Sequence, residues 1–259
     1  HVDVAKVLIQ NGADVNAAAD DWAPLCYAAR TGHVSFVKLL IQNGAVVNTL
    51  DGSRGISPLH HASQWGHADI AKILIHNGAS VNHVDLMKNT ALHSAAEGGH
   101  TAVAKLLIQN GADIKAVNSQ GRTVLSFTFE SRYINECSGV TKLLLTNGAD
   151  INAQCNERRT PIYYAAYTGR CTCTLILLCF GAEISHEAIK CDRTGILQPI
   201  NDRLESLRAG NGMTTTLMSD EEKRFMWNLA FFFILKHRVA AFIAYYAIRS
   251  FITYNGIFM

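Results

Sequence analysis

The chain has 259 residues, 49% of them hydrophobic and 17% charged, with 23 Lys and Arg against 21 Asp and Glu for a net charge of +2. That length and apolarity can bury a sizeable core, and no basic stripe marks a nucleic-acid surface. The seven cysteines lack a paired disulfide or zinc spacing, so they are expected as buried small hydrophobes in a reduced compartment.

Gly-Ala pairs recur from Gly12 through Gly44, Gly78, Gly111 and Gly148 to Gly181, in steps of 32, 34, 33, 37 and 33 residues. A near-constant period of this size predicts stacked supersecondary units. Each pair closes an apolar run and leads to Val or Ile, usually followed by Asn. The first unit is short. His1 takes the place that His33, His67 and His100 hold after Gly32, Gly66 and Gly99, so further repeats or a capping unit are expected before it.

The third unit, residues 57–82, shows the physical logic most fully. Ser57 suits a helix N-cap and Pro58 the first helical position, where its missing N–H costs nothing. Leu59, Ala62 and Ser63 present small residues to neighbours, and Gly66 ends the helix. A second helix carries the stripe Ile70, Ile73, Leu74 and Ile75, and Asn77-Gly78 closes it. Residues 79–82 then turn out into an extended finger. So short a pair cannot bury both apolar faces alone, and stacking supplies the rest.

The fifth unit loses its paired alanines and carries about four extra residues, placed within 130–139 as a loop or a lengthened first helix. In the sixth, Cys171, Cys173 and Cys179 share one helical stretch without a zinc pattern. After Ser185 the period fades into a helical turn at 187–191, a helix at 199–209 and a Gly/Thr linker at 210–216. Ser219 then N-caps two apolar runs, 225–235 and 239–248, split by Lys236, His237 and Arg238. Lys or Arg at mid-span costs about 2.5–3.5 kcal/mol each, and each run alone is too short to cross a bilayer. Membrane insertion is therefore disfavoured and an apolar helical hairpin is expected over 219–259.

Ser57-Pro58-Leu59-His60, Thr90-Ala91-Leu92-His93, Thr160-Pro161-Ile162-Tyr163, the Gly-His pairs and Gly12-Ala13-Asp14-Val15-Asn16 together resemble the ankyrin repeat over residues 1–185. Cys26 and Tyr163 replace the usual capping His, and Arg170 replaces the His after Gly169. The resemblance implies an all-α fold, an ankyrin-repeat α-solenoid of about six helix-turn-helix units with β-hairpin or turn fingers. A helical extension and linker (186–218) and the hairpin follow. It implies structural roles for the motif histidines, no catalytic residue, no metal and no cofactor.

In this family the concave face of first helices and finger tips binds a protein partner. The matching positions here are Asp20, Trp22, Arg30, Arg54, Ile56, Gln64, Trp65, Met87, Asn89, Glu97, Arg122, Arg159 and Tyr167. Two of the three Trp fall on this face, and Trp and Arg dominate interface hot spots. Asn16, Asn48, Asn82 and Asn152 either bridge neighbouring units or, as in some family members, accept hydroxylation. The expected function is a cytoplasmic (or host cytosolic or nuclear), monomeric protein–protein adaptor that binds no nucleic acid. The alternatives are the substrate-targeting region of a larger enzyme or effector, and a membrane-associated adaptor.

Overall fold

Short polar caps start the first helix of most repeats. Ser57 Oγ accepts the N–H of His60, Thr90 Oγ1 that of His93, and Thr123 Oγ1 that of Ser126, satisfying donors a helix start leaves open. The computed structural model describes residues 2–18, 22–52, 54–130, 137–202 and 205. The chain divides into two units, residues 1–149 and 150–259.

In the first unit the helices are α1 (Val2–Gln10), α2 (Pro24–Thr31), α3 (Val34–Gln42), α4 (Pro58–Gln64), α5 (Ala68–His76), α6 (Ala91–Gly98), α7 (Thr101–Gln109), α8 (Val124–Phe127) and α9 (Cys137–Thr146). They form two rows. Helices α2, α4, α6 and α8 pack in sequence, with α3, α5, α7 and α9 in sequence behind them. Ala28, Ala29, Ala62, Ser63, Ala95 and Ala96 are fully buried and let the first row approach closely. The second row contributes Val37, Leu40, Ile70, Leu74, Val103, Leu107, Val140 and Leu144 to the same core. Burying such a branched side chain is worth about 1.5–3 kcal/mol.

Cross-repeat hydrogen bonds join the rows. His67 Nε2 reaches the carbonyl of Arg30 (3.1 Å) and His100 Nε2 that of Gln64 (3.0 Å). Gly66 makes the second contact possible: its φ is +76°, and a Cβ there would lie 2.5 Å from His100 Nδ1. His60 joins Ser57 Oγ (2.8 Å) to the carbonyl of Asn89 (3.1 Å), and His93 joins Thr90 Oγ1 (2.9 Å) to that of Arg122 (3.4 Å). These carbonyls can only accept, so Nε2 carries the proton in both rings. The asparagines expected to bridge units do so. Asn48 Nδ2 donates to the Gly78 carbonyl (3.0 Å) and its Oδ1 accepts the Ser80 N–H (2.8 Å). Asn16 and Asn82 repeat the arrangement one unit earlier and one later.

Finger tips are tight turns built on a side-chain oxygen. Asp85 Oδ1 accepts the N–H groups of Met87 (2.8 Å) and Asn89 (2.7 Å), and Asn118 Oδ1 those of Gln120 (2.9 Å) and Arg122 (3.0 Å). Among the described residues, Val84–Thr90 and Val117–Thr123 are isolated antiparallel bridges. Adjacent fingers are linked by Leu86 N–H to the Arg54 carbonyl (3.0 Å) and Ser119 N–H to that of Met87 (2.8 Å). In the degenerate fifth repeat, Thr128 and Phe129 take the places of Ala95 and Ala96 and are wholly buried. The bulkier Phe129 lies beyond a first helix that stops at Phe127. Of the predicted insertion, residues 131–136 lie outside the described residues.

The second unit contains α10 (Pro161–Tyr167), α11 (Cys171–Cys179) and α12 (His186–Lys190), then a helical stretch at 197–202. Helix α11 is buried almost all round, from Cys173 to Leu178, as its even apolarity requires. Asn152 Oδ1 accepts the Glu183 N–H (2.9 Å). Past the point where the period fades, finger chemistry returns: Asp192 Oδ1 accepts the Thr194 N–H (2.8 Å) and Oδ2 that of Leu197 (2.8 Å). Gly195 has φ +68°, as Gly55 does. Most of the predicted helix at 199–209, the linker at 210–216 and the 219–259 hairpin lie outside the described residues. Among the described residues, no helix is long and apolar enough to cross a membrane.

Candidate functional site

In the first unit three predicted residues converge. Trp22 precedes the N-cap of α2, Arg30 lies in the last turn of that helix, and Trp65 caps the C-terminus of α4. The Arg30 guanidinium carbon lies 5.4 Å from the Trp22 ring centroid and 5.7 Å from that of Trp65. Each cation–π contact is worth about 0.5–1 kcal/mol when exposed. Trp65 is 47% exposed, a large indole left in water, whereas Trp22 is half-buried. Among the described residues no side-chain hydrogen bond or ion pair reaches the Arg30 guanidinium, which is exposed.

Beneath Trp22 lies a buried polar group. The His61 ring is 4.7 Å from that of Trp22, and its Nε2 is 3.4 Å from Asp51 Oδ2. Asp51 and His61 are both buried, and Arg54, on the surface, lies 3.7 Å from the same carboxylate oxygen. Asp51 Oδ1 accepts the Ile56 N–H (2.8 Å) and shapes this finger. Burial outweighs the Asp51 charge and pushes His61 down to about 4, so a neutral imidazole supports the indole at pH 7. Burial, reinforced by Asp51, pushes the Cys26 thiol up to about 12, leaving it protonated and unsuited to nucleophilic chemistry.

The other predicted positions divide between surface and scaffold. Arg54, Gln64 and Met87 are exposed, and Ile56 and Glu97 are half-buried. Asn89 is held between Asp85 and Asn118. Arg122 folds over Phe127 at 5.1 Å and pairs with Glu130. Asp20 lies outside the described residues.

The second unit gathers Arg159 and Tyr167 into a column with two residues the sequence reading did not select. Arg159 lies 4.9 Å from the Tyr163 centroid, and Tyr163 stacks on Tyr167 at 6.0 Å and 5°. Arg193 lies 4.9 Å from Tyr167. The tyrosines are four apart on α10, so their shared face was readable from helical spacing. Arg193 was hidden because its finger lies beyond the last Gly-Ala pair.

The family model described as ankyrin repeats (3 copies) matches residues 1–85, 47–118 and 92–188. No curated protein matches the chain. The matched stretches cover the paired helices, the histidine bridges and the asparagine-linked fingers of both units through residue 188, and the chain belongs to the ankyrin repeat family.

Proposed function

We propose that the chain is a non-catalytic adaptor that binds a protein partner, with Trp22, Arg30 and Trp65 as the anchor of its recognition face. Ankyrin repeats are in general protein–protein interaction modules. The observation that carries the assignment here is the convergence of Arg30 on two indoles within cation–π distance, one of them strongly exposed. The rings supply large contact area with few rotamers to freeze. Arg30, held within cation–π distance of both rings, offers a planar donor fork suited to a carboxylate. The fitting partner segment places an acidic side chain beside an apolar anchor. Residues 1–185 form the repeat region, with 186–218 as a helical extension and 219–259 as a hairpin. Free thiols at Cys26, Cys155, Cys171, Cys179 and Cys191 support a reducing, cytoplasmic setting.

Affinity capture from cytosolic lysate tests this reading, comparing the wild-type chain with Arg30→Ala and Trp65→Ala chains of unchanged helicity. A protein retained by the wild type and depleted by both variants is the expected result. Equal capture by all three would refute the assignment.

A further inference from the structure

We propose that Arg159, Tyr163, Tyr167 and Arg193 form a second recognition surface, within residues 150–259, for an extended acidic segment of a partner protein. The four side chains come from the fingers that carry Arg159 and Arg193 and from α10. The ring faces are engaged inside the column, by Arg159 against Tyr163, Tyr163 against Tyr167, and Arg193 against Tyr167. A nucleobase, which binds by stacking on an open aromatic face, is therefore poorly matched. The column offers its edges instead, which are guanidinium N–H groups at the ends and phenol hydroxyls between, all able to donate to carboxylates.

Charge complementarity selects an acidic occupant. Asp192, the nearest carboxylate in sequence to Arg193, is spent on the N–H groups of Thr194 and Leu197 and on the Thr194 hydroxyl. Arg193 is exposed and makes no side-chain hydrogen bond or ion pair among the described residues. Arg159 has a solvent-facing pair with Glu157, both side chains at least 41% exposed, the kind of contact that contributes little and exchanges readily. Arg158, exposed beside it at φ +59°, adds a third cation to the same finger tip. Spacing favours an extended chain. The 6.0 Å step between the tyrosines approaches the roughly 6.6 Å between same-face side chains of a strand.

The test uses the full chain and a fluorescein-labelled peptide of alternating Glu and Ser, read by fluorescence anisotropy at low salt. The peptide should bind saturably and weaken with added salt. Arg159→Ala and Arg193→Ala should each reduce affinity at least about fivefold, and Tyr167→Phe, which keeps the stack and removes one donor, about twofold. An Arg30→Ala/Trp65→Ala chain should bind the peptide as the wild type does, which separates this surface from the one in the first unit. The proposal is overturned by absence of saturable binding, or by undiminished affinity in an Arg159→Ala/Arg193→Ala chain of unchanged helicity. Tighter binding of an oligothymidylate than of the acidic peptide would overturn it equally.

Discussion

Desolvation sets the behaviour of the buried histidines. His60 is pushed down, and His61 and His93 to about 4, with burial the largest cause in each. An unfolded histidine titrates near 6.5, so below that pH the unfolded chain binds more protons than the folded one. Their contribution is complete above about pH 6.5 and declines as the pH falls below it; for His61 and His93 the loss approaches about 1.4 kcal/mol per histidine per pH unit toward pH 4. Thermal melts at pH 7, 5.5 and 4.5 should show a steep loss below 6.5, and an unchanged melting temperature would contradict the burial argument. Glycine 66 makes a sharper test at the same scale. Gly66→Ala strains a φ of +76° and drives a Cβ against His100, whereas Gly78→Ala strains a φ of +86° with nothing within 4 Å. Urea unfolding should show a cost of about 1 kcal/mol for Gly78→Ala. Gly66→Ala should cost about 1–2 kcal/mol more.

Fingers and helix pairs are joined by side chains that reach one repeat ahead. Asn48→Ala removes both of its bonds to the next turn, at Gly78 and Ser80. Exposure lets water replace them, so the expected cost is about 1–2 kcal/mol. Because repeat arrays are held by nearest-neighbour interfaces, hydrogen exchange should accelerate mainly on either side of that interface. Uniform acceleration throughout residues 1–149 would argue against local coupling. These elements were legible in the sequence because their determinants are local. Ser57 and Thr90 cap the helices that follow them, and Gly66 stands where a left-handed residue is needed. The burial of Phe129 was not legible, since room for a phenyl ring in place of an alanine depends on where neighbouring helices stop. The Asp192 finger escaped for another reason: it lies 37 residues after Cys155, which occupies the finger position of Asp85 with a thiol.

At the scale of the molecule, the sequence located a binding face by family resemblance but not its organisation. Trp22, Arg30 and Trp65 were each selected by position. That both indoles lie within cation–π distance of Arg30 follows from stacking α2 on α4, which no local pattern encodes. Arg122 was selected on the same grounds, yet it turns over Phe127 to pair with Glu130, a ring that stands where the preceding repeat has Ser94. Trp65→Ala should weaken partner binding by about 2 kcal/mol or more, measured by calorimetry with the captured protein. Site-specific photocrosslinking in lysate tests the recognition face most directly, with the reactive group placed at Gln64 beside Trp65 or at Lys72 on the exposed side of α5. The account predicts a partner adduct from Gln64 that an Arg30→Ala change abolishes, and little from Lys72. Adducts from Lys72 alone, or adducts from Gln64 indifferent to Arg30, would contradict it.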